Sequence, residues 1–351
     1  MKISAKEVLK TLSVKNIFLP LLIGIGVSVY LVYDKISWSQ INELKTANLF
    51  WIWASVIMLF LRNGGYIYRL RLITEKELSW KASFNVVMLW EFTSAVTPTA
   101  VGGTAIAAFF LLSEKIPLAR AIAFVVVTAV FDNLFLIIVG ILPVFFRGKE
   151  MFPNPELLNL KVGSSIEYFY GLSYFLILFY TAFMVYGLFI RPRGLKWIII
   201  KLFSISLLKR WKVGAADFGE DIISASQELK HQKFGYWFSI FITTFIVWTS
   251  RFFFVNCLTA AVNPDINHLF VFARHCLLWI VILVAPTPGG SGIAEISFNT
   301  FFGEFLNNHL TAIVIFWRIL TYWIYLLGGI ILLALWLPKK VLKDGSKVTK
   351  Q

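Results

Sequence analysis

Pro286-Thr287-Pro288-Gly289-Gly290-Ser291-Gly292 interrupts an otherwise apolar stretch, 268–308, and its reading decides how the chain folds. Proline removes a backbone donor and glycine is a weak helix former, so no single straight helix runs through this segment. A second interruption, Thr97-Pro98-Thr99-Ala100-Val101-Gly102-Gly103, breaks the apolar stretch 80–112 in the same way. Around these two lie six uninterrupted apolar runs, 17–33, 49–68, 119–146, 168–190, 234–261 and 311–337, each long enough to cross roughly 30 Å of hydrocarbon. The cleanest, Tyr168 to Ile190, contains no charged residue.

Composition agrees. Of 351 residues 58% are hydrophobic and only 15% charged, against roughly 25% charged in a soluble domain. With 34 Phe, 13 Trp and 12 Tyr the chain is neither disordered nor a disulfide scaffold. The fold class is an all-α polytopic integral membrane protein, with six crossings and two Pro/Gly-broken membrane hairpins. Cys257 and Cys276 both sit inside apolar runs, and His231, His268, His275 and His309 lack ligand spacing, so no metal site is expected. Phosphate-loop, nucleophile-elbow and His-Glu-x-x-His motifs are absent, so neither catalysis nor a cofactor is expected. Lys2, Lys6, Lys10 and Lys15 precede the first run, but Tyr33-Asp34-Lys35 follows it in place of a cleavage site. Residues 17–33 are therefore read as a retained span.

The net charge of +14 finds its explanation in topology rather than in nucleic acid. Alternating the crossings places twenty-five Lys and Arg on one side, including Arg62, Arg69, Arg71, Lys76 and Lys81, against five on the other. Basic residues concentrate in cytoplasmic loops, which predicts a multi-pass protein of the cell membrane with both termini cytoplasmic. The chain is then cytoplasmic on both flanks of 80–112 and external on both flanks of 268–308. Each broken segment must enter and return, and the two enter from opposite faces. Irregular backbone at such tips is tolerated where it is buried or lines a wet cavity.

The two interruptions resemble each other, and so do their surroundings. The interval from Arg62 to Pro98 matches that from Arg251 to Pro286 within one residue, as does Gly103 to Asp132 against Gly290 to Arg318. Crossing, hairpin, crossing thus occurs twice in opposite orientation, the inverted-repeat plan of secondary transporters whose sites lie between the repeats near the midplane. The organisation expected is 1–45, an N-terminal segment with the first span; 46–146, repeat one; 147–233, an external loop, the span 168–190 and basic surface helices; 234–337, repeat two; and 338–351, a basic tail.

Charges inside the bilayer cost about 2.5–3.5 kcal/mol or more each at a helix centre, so they face a cavity or a partner. The candidates are Arg62, Arg251, Arg274 and Arg318, with Glu91, Asp132 and Glu295. Two readings stand side by side. In one, Asp132 and Arg318 pair with other buried charges and hold the repeats together; in the other, the arginines present planar forks of donors to a phosphate. The tips, Pro98, Gly102, Gly103 and Thr104 in one hairpin and Pro286, Pro288, Gly289, Gly290, Ser291 and Gly292 in the other, would restart helices after Gly103 and after Gly292. Their free amides and positive dipole ends suit an anion. Thr99, Thr104, Thr287 and Ser291 would cap those ends or bond a headgroup, and Glu295 would stabilise a helix start, bind a cationic group or carry a proton. Residues 194–233 read as a basic, partly amphipathic surface segment, attracted to anionic lipid or simply solvated.

Ala285-Pro286-Thr287-Pro288-Gly289-Gly290-Ser291-Gly292-Ile293-Ala294-Glu295, with Thr97-Pro98 through Gly102-Gly103 and with Asp132, resembles the lysylphosphatidylglycerol synthase transmembrane-domain family. The resemblance covers nearly the whole chain. Family members often carry Glu and Arg shortly after the first double glycine, where this chain has Thr104 and Ala107, and Glu-Arg before the aspartate, where it has Thr128 and Ala129. The resemblance implies a lipid-translocating domain, with Pro288, Gly289, Gly290, Gly292, Glu295 and Asp132 as the positions carried over. With fourteen residues after Leu337, no lipid synthesis is expected.

Three functions follow as expectations. The first is a flippase-like transporter of an anionic lipid headgroup, phospholipid or polyprenyl-phosphate-linked. The second is a non-transporting, lipid-binding partner of a membrane synthase or glycosyltransferase. The third is a small-solute or ion transporter. Membrane lipids, anionic ones, are the expected partners in the first two.

Overall fold

The computed structural model describes residues 47–97, 99–153, 163–202, 204, 212–283, 287 and 289–348. The expected first span at 17–33, and Pro98, Pro286 and Pro288, lie outside the described residues. Helix α1 (Leu49–Ile73) starts where Asn48 Oδ1 accepts the Phe50 amide hydrogen at 2.9 Å, a side-chain cap for an amide with no helical partner. The first broken stretch forms α2 (Trp80–Val96), capped by Ser79, and α3 (Thr99–Ser113). Helices α4 (Leu118–Arg147) and α5 (Gly163–Val185) follow, the latter continued by a π-helical turn, Tyr186–Ile190. Two shorter helices, α6 (Pro192–Leu202) and α7 (Lys212–Lys230), lead to α8 (Phe234–Val262). The second broken stretch forms α9 (His268–Ile282), capped by Asn267, and α10 (Ile293–Leu306). Last come α11 (Leu310–Arg318), a π-helical turn at Ile319–Trp323, and α12 (Ile324–Val348). Among the described residues there is no strand.

Among the described residues, five helical runs are long and apolar enough to cross a membrane: Leu49–Ile73, Leu118–Met151, Ile166–Ile190, Phe234–Val262 and Ile293–Trp336. The first four coincide with expected crossings. The fifth is not straight, since the chain turns at Asn307, with φ 43° and ψ −119°, between α10 and α11. The outer surface is apolar, with Phe145, Phe175, Phe179, Phe238, Phe245, Leu327 and Ile331 exposed. That is the surface a lipid-facing protein presents, and in water it would be an association site.

Both broken stretches fold as paired helices. At about 1.5 Å per residue, α2 is roughly 25 Å long and α9 roughly 22 Å, each short of a full crossing. In the second, Phe270 at the start of α9 meets Phe305 at the end of α10, ring centroids 6.0 Å apart, and Arg274 midway along α9 reaches Glu304 and the Phe301 carbonyl. The arms are therefore antiparallel. In the first, a β-carbon added to Gly103 would lie 2.1 Å from Ser94 Oγ. This corrects one expectation: α3 begins at Thr99, so Gly102 and Gly103 lie inside it rather than before it. The glycine lets two helix backbones approach, which small residues do in membrane helix contacts.

The two tips meet. A β-carbon on Gly289, at the second tip, would stand 2.9 Å from the Ala95 carbonyl oxygen at the first and 2.2 Å from the Tyr322 ring. Tyr322 OH donates to that same Ala95 carbonyl at 3.3 Å. Packing is reciprocal: α1 lies along α8, α2 packs on α12 and α9 packs on α4. Gly65 lets α1 close on Val247 of α8, and Gly329 lets α12 close on Phe92 of α2.

Two faces differ in charge. On one, Arg120 pairs with Glu77 and Glu228 at 2.9 Å each, Gln232 bonds Glu75, and Lys196 of α6 pairs with Glu220 of α7. On the other, Asn256 bonds the backbone of His268, Asn263 bonds the Phe305 carbonyl, and Arg274 reaches the Glu150 and Phe152 carbonyls. One apolar cluster, around Phe92, Phe110 and Phe124, fills the half nearer the first face. A second, around Phe252, Phe298 and Phe302, fills the other half.

Candidate functional site

Between the two apolar clusters lies a cavity of about 410 Å³ whose wall is drawn from α1, α2, α4, α5, α8, α9, α10 and α11, and from both hairpin tips. Its apolar wall includes Leu136, Phe254 and Trp317. Into it project four arginines, Arg62, Arg69, Arg251 and Arg318, and two carboxylates, Glu91 and Asp132. Glu295 stands behind Arg318, giving three carboxylates to four guanidinium groups.

Three of the arginines are paired with carboxylates, although the Nε atoms of Arg62 and Arg318 make no hydrogen bond. Arg62, 2% exposed, donates to Glu91 Oε1 at 2.7 Å and to Tyr325 OH at 2.6 Å. Arg69, 1% exposed, makes a bidentate pair with Asp132, 2.5 Å to Oδ1 and 3.1 Å to Oδ2, and donates to Thr244 Oγ1 at 2.9 Å. Trp248 Nε1 donates to the same Asp132 Oδ1 at 2.6 Å. Arg318 Nε lies 2.7 Å from Glu295 Oε1, and its other nitrogens donate to Ser291 Oγ at 3.1 Å and to the Gly289 carbonyl at 3.4 Å. Charge-assisted pairs of this kind hold buried guanidinium groups where bare ones would be untenable.

Arg251 is different. Its nearest carboxylate oxygen is Glu91 Oε2 at 3.8 Å, beyond hydrogen-bond range. Its guanidinium lies instead over the rings of Trp279, 4.2 Å, and Trp248, 5.1 Å. Aromatic faces attract a cation but leave its N–H donors free in the plane of the fork. Arg251 is thus the surplus positive charge of the cavity, with donors unspent among the described residues.

The second tip is built to hold its shape. Gly289, Gly290 and Gly292 take φ of 55°, 68° and 86°, a region closed to most side chains. Helix α10 restarts at Ile293 as expected, and the Gly292 amide donates to Glu295 Oε2 at 2.7 Å. One oxygen of Glu295 therefore accepts from the helix start, and the other faces Arg318 Nε as an ion pair without a hydrogen bond. Ser291, expected as a cap or headgroup ligand, bonds Arg318 instead.

Of the expected site residues, Arg62, Glu91, Asp132, Arg251, Gly289, Gly290 and Arg318 come together around the cavity. Gly103, Ser291, Gly292 and Glu295 support its walls, and Gly102 and Thr104 fall within α3. Arg274 does not join them: it pairs with Glu304 on the far face, close to the Glu150 carbonyl. The next residue, His275, lines the cavity, so the expectation that Arg274 serves the same site is corrected by the face of α9 it occupies, which is turned toward Glu304 and the Glu150 and Phe152 carbonyls. Arg69 lies just past the apolar run 49–68 and counts there among the basic residues of the cytoplasmic side. Helix α1 in fact runs on to Ile73 and turns Arg69 inward. The available signal was its spacing from Arg62, two helical turns, which places both on one face.

The chain matches the lysylphosphatidylglycerol synthase TM region family over residues 17–329. It is 22% identical over 303 residues to a UPF0104 membrane protein of Archaeoglobus fulgidus, covering 82% of this chain and 86% of the relative. No solved structure matches it.

Proposed function

The chain belongs to the lysylphosphatidylglycerol synthase TM region family, and from that premise and the cavity we propose a flippase-like transporter that moves an anionic lipid headgroup across the membrane. The observation that carries the reading is Arg251, a cation with free donors in a cavity where every other arginine is paired. A phosphate oxygen meets its planar fork, and the surplus charge makes entry of one anion neutralising rather than repulsive. Acyl chains would remain against the apolar helix surfaces while the headgroup occupies the polar interior.

The meeting of the tips at Ala95, Gly289 and Tyr322 supports a re-entrant reading of both hairpins. So does the reciprocal packing of α2 on α12 and α9 on α4, which an inverted repeat with a two-fold relation would give. In this reading the headgroup passes between two half-membrane arms.

The test is headgroup flipping of a labelled anionic phospholipid in proteoliposomes, with a zwitterionic lipid alongside. Wild type should flip the anionic lipid preferentially, and Arg251→Gln at matched reconstitution should lose most of that rate. Equal rates for the two proteins would overturn the reading.

A further inference from the structure

The apolar run Ile166–Ile190 closes in a π-helical turn and passes directly into α6, so α6 begins at the membrane surface where that run ends. From Arg191 to Lys212 the sequence holds seven Lys and Arg and no Asp or Glu. The acidic residues of the segment, Asp217, Glu220, Asp221 and Glu228, all fall in α7. At about 3.6 residues per turn, Arg193, Trp197 and Lys201 form a stripe along one side of α6, with Ile198 beside it. All four are exposed, Trp197 at 60%.

The other side of α6 is held by the protein. Leu195 packs on Gly187 in the turn that ends the apolar run, where an added β-carbon would lie 3.5 Å from it. Lys196 lies along Gly219 of α7 and pairs with Glu220. Helix α6 is thus fixed by its inner side and presents outward an aromatic ring between cations, with Lys201 Nζ 4.6 Å from the centre of the Trp197 ring. Arg191, also exposed, stands at the start of the helix. Among the described residues Arg191, Arg193 and Lys201 have no carboxylate partner. A helix face turned to water gains nothing from a large ring and an isoleucine. At a membrane surface the same face is favourable, because an indole sits at headgroup level and basic side chains place their charges among phosphates.

We propose that α6 docks on the anionic headgroups of the leaflet at which α5 ends, with Trp197 and Ile198 at the boundary of headgroups and acyl chains and Arg191, Arg193 and Lys201 against lipid phosphates. Charge complementarity selects the occupant: a surface of uncompensated cations around an aromatic ring attracts an anionic leaflet and repels a basic one. These residues lie outside the cavity, so the bound lipid is the surrounding membrane rather than cargo, and the inference goes beyond the transport reading without depending on it. Docking also steadies α7, which α6 holds through Glu220 and which itself bonds the Leu188 carbonyl through Ser226 and Arg120 of α4 through Glu228.

The experiment places a fluorophore at Ile198→Cys in the full-length protein, the native Cys257 and Cys276 being buried, and reconstitutes it in vesicles of phosphatidylcholine with and without phosphatidylglycerol. In the anionic vesicles the label should be shielded from acrylamide in water and quenched by a nitroxide carried on lipid. Both effects should weaken in phosphatidylcholine alone and at high salt, which screens surface charge. Replacing Arg191, Arg193 and Lys201 together by Gln should lose most of the shielding, and the salt series reads the same charges without any charge variant. Equal acrylamide access in all vesicles would show a solvated face and overturn the proposal. Shielding that neither salt nor the Gln variant alters would overturn anionic lipid as the partner. Shielding from acrylamide without quenching by the lipid nitroxide would mean that protein covers the stripe, which would overturn the leaflet as its occupant.

Discussion

Arg251 stops 3.8 Å from the Glu91 carboxylate, while Arg62 holds the other oxygen of that carboxylate at 2.7 Å. One carboxylate is thus divided unequally between two arginines from α1 and α8, the two helices that run along each other. The closer arginine is bound and the farther is available. On the proposed function, that inequality, rather than the number of arginines, is what would receive an anion.

Arg251 and Arg318 are therefore expected to separate when neutralised. Arg318→Gln strips Glu295 of its cation and loosens the tip that Ser291 and Gly289 help hold. It should lower stability by about 3–5 kcal/mol, the cost of breaking a buried pair. Arg251→Gln removes a loosely held charge that strips no carboxylate of its close partner and should cost less than Arg318→Gln does, while flipping falls. Thermal unfolding in detergent beside a flipping assay reads both, and a reversed order of stabilities would contradict the assignment.

The Arg69–Asp132 pair is read as structural. Either Arg69→Leu or Asp132→Leu leaves a charge without its partner and should destabilise by roughly 3 kcal/mol or more. The double variant should be less damaged than the sum of the singles, because no uncompensated charge remains. Additive losses in that cycle would show that the two do not act as a unit.

Gly289→Ala tests the meeting of the tips. The added carbon would fall 2.2 Å from Tyr322 and 2.9 Å from the Ala95 carbonyl, at a φ of 55°. Overpacking and the left-handed backbone together should cost about 2–4 kcal/mol. Gly171→Ala has open space around its β-carbon and should stay within about 0.5 kcal/mol of wild type. The difference in melting temperature between the two variants is the measurement.

Orientation can be read by chemical labelling, since Cys257 and Cys276 are both buried. With the Arg120 and Lys196 face in the cytoplasm, Gln232→Cys should react with a membrane-impermeant maleimide only after the membrane is opened. Lys149→Cys, on the opposite face, should react on intact cells. The opposite pattern would reverse the orientation.

Much of the architecture was legible along the chain. Four helices of membrane-crossing length lie where the apolar runs put them, and both broken stretches fold as helix pairs, because crossing a bilayer is a local requirement on about 20 consecutive residues. The site was legible only in part. Arg62, Glu91, Asp132, Arg251 and Arg318 stand out because ions are rare in apolar runs, and rarity needs no partner to be visible. Arg69 did not stand out, since it lies just past the apolar run 49–68, among the basic residues of the cytoplasmic side.

By itself the sequence determined an all-α polytopic membrane protein and where its apolar helices break, since hydrophobic length and helix-breaking residues act within a short window of chain. Only the tertiary structure decided which charges are spent and which are free. Asp132 binds Arg69, 63 residues away, and Glu91 favours Arg62 over Arg251 by about an ångström. Coulombic attraction and hydrogen bonding depend on distance in space. For these residues that distance is set by how α1, α8 and the two hairpin tips pack.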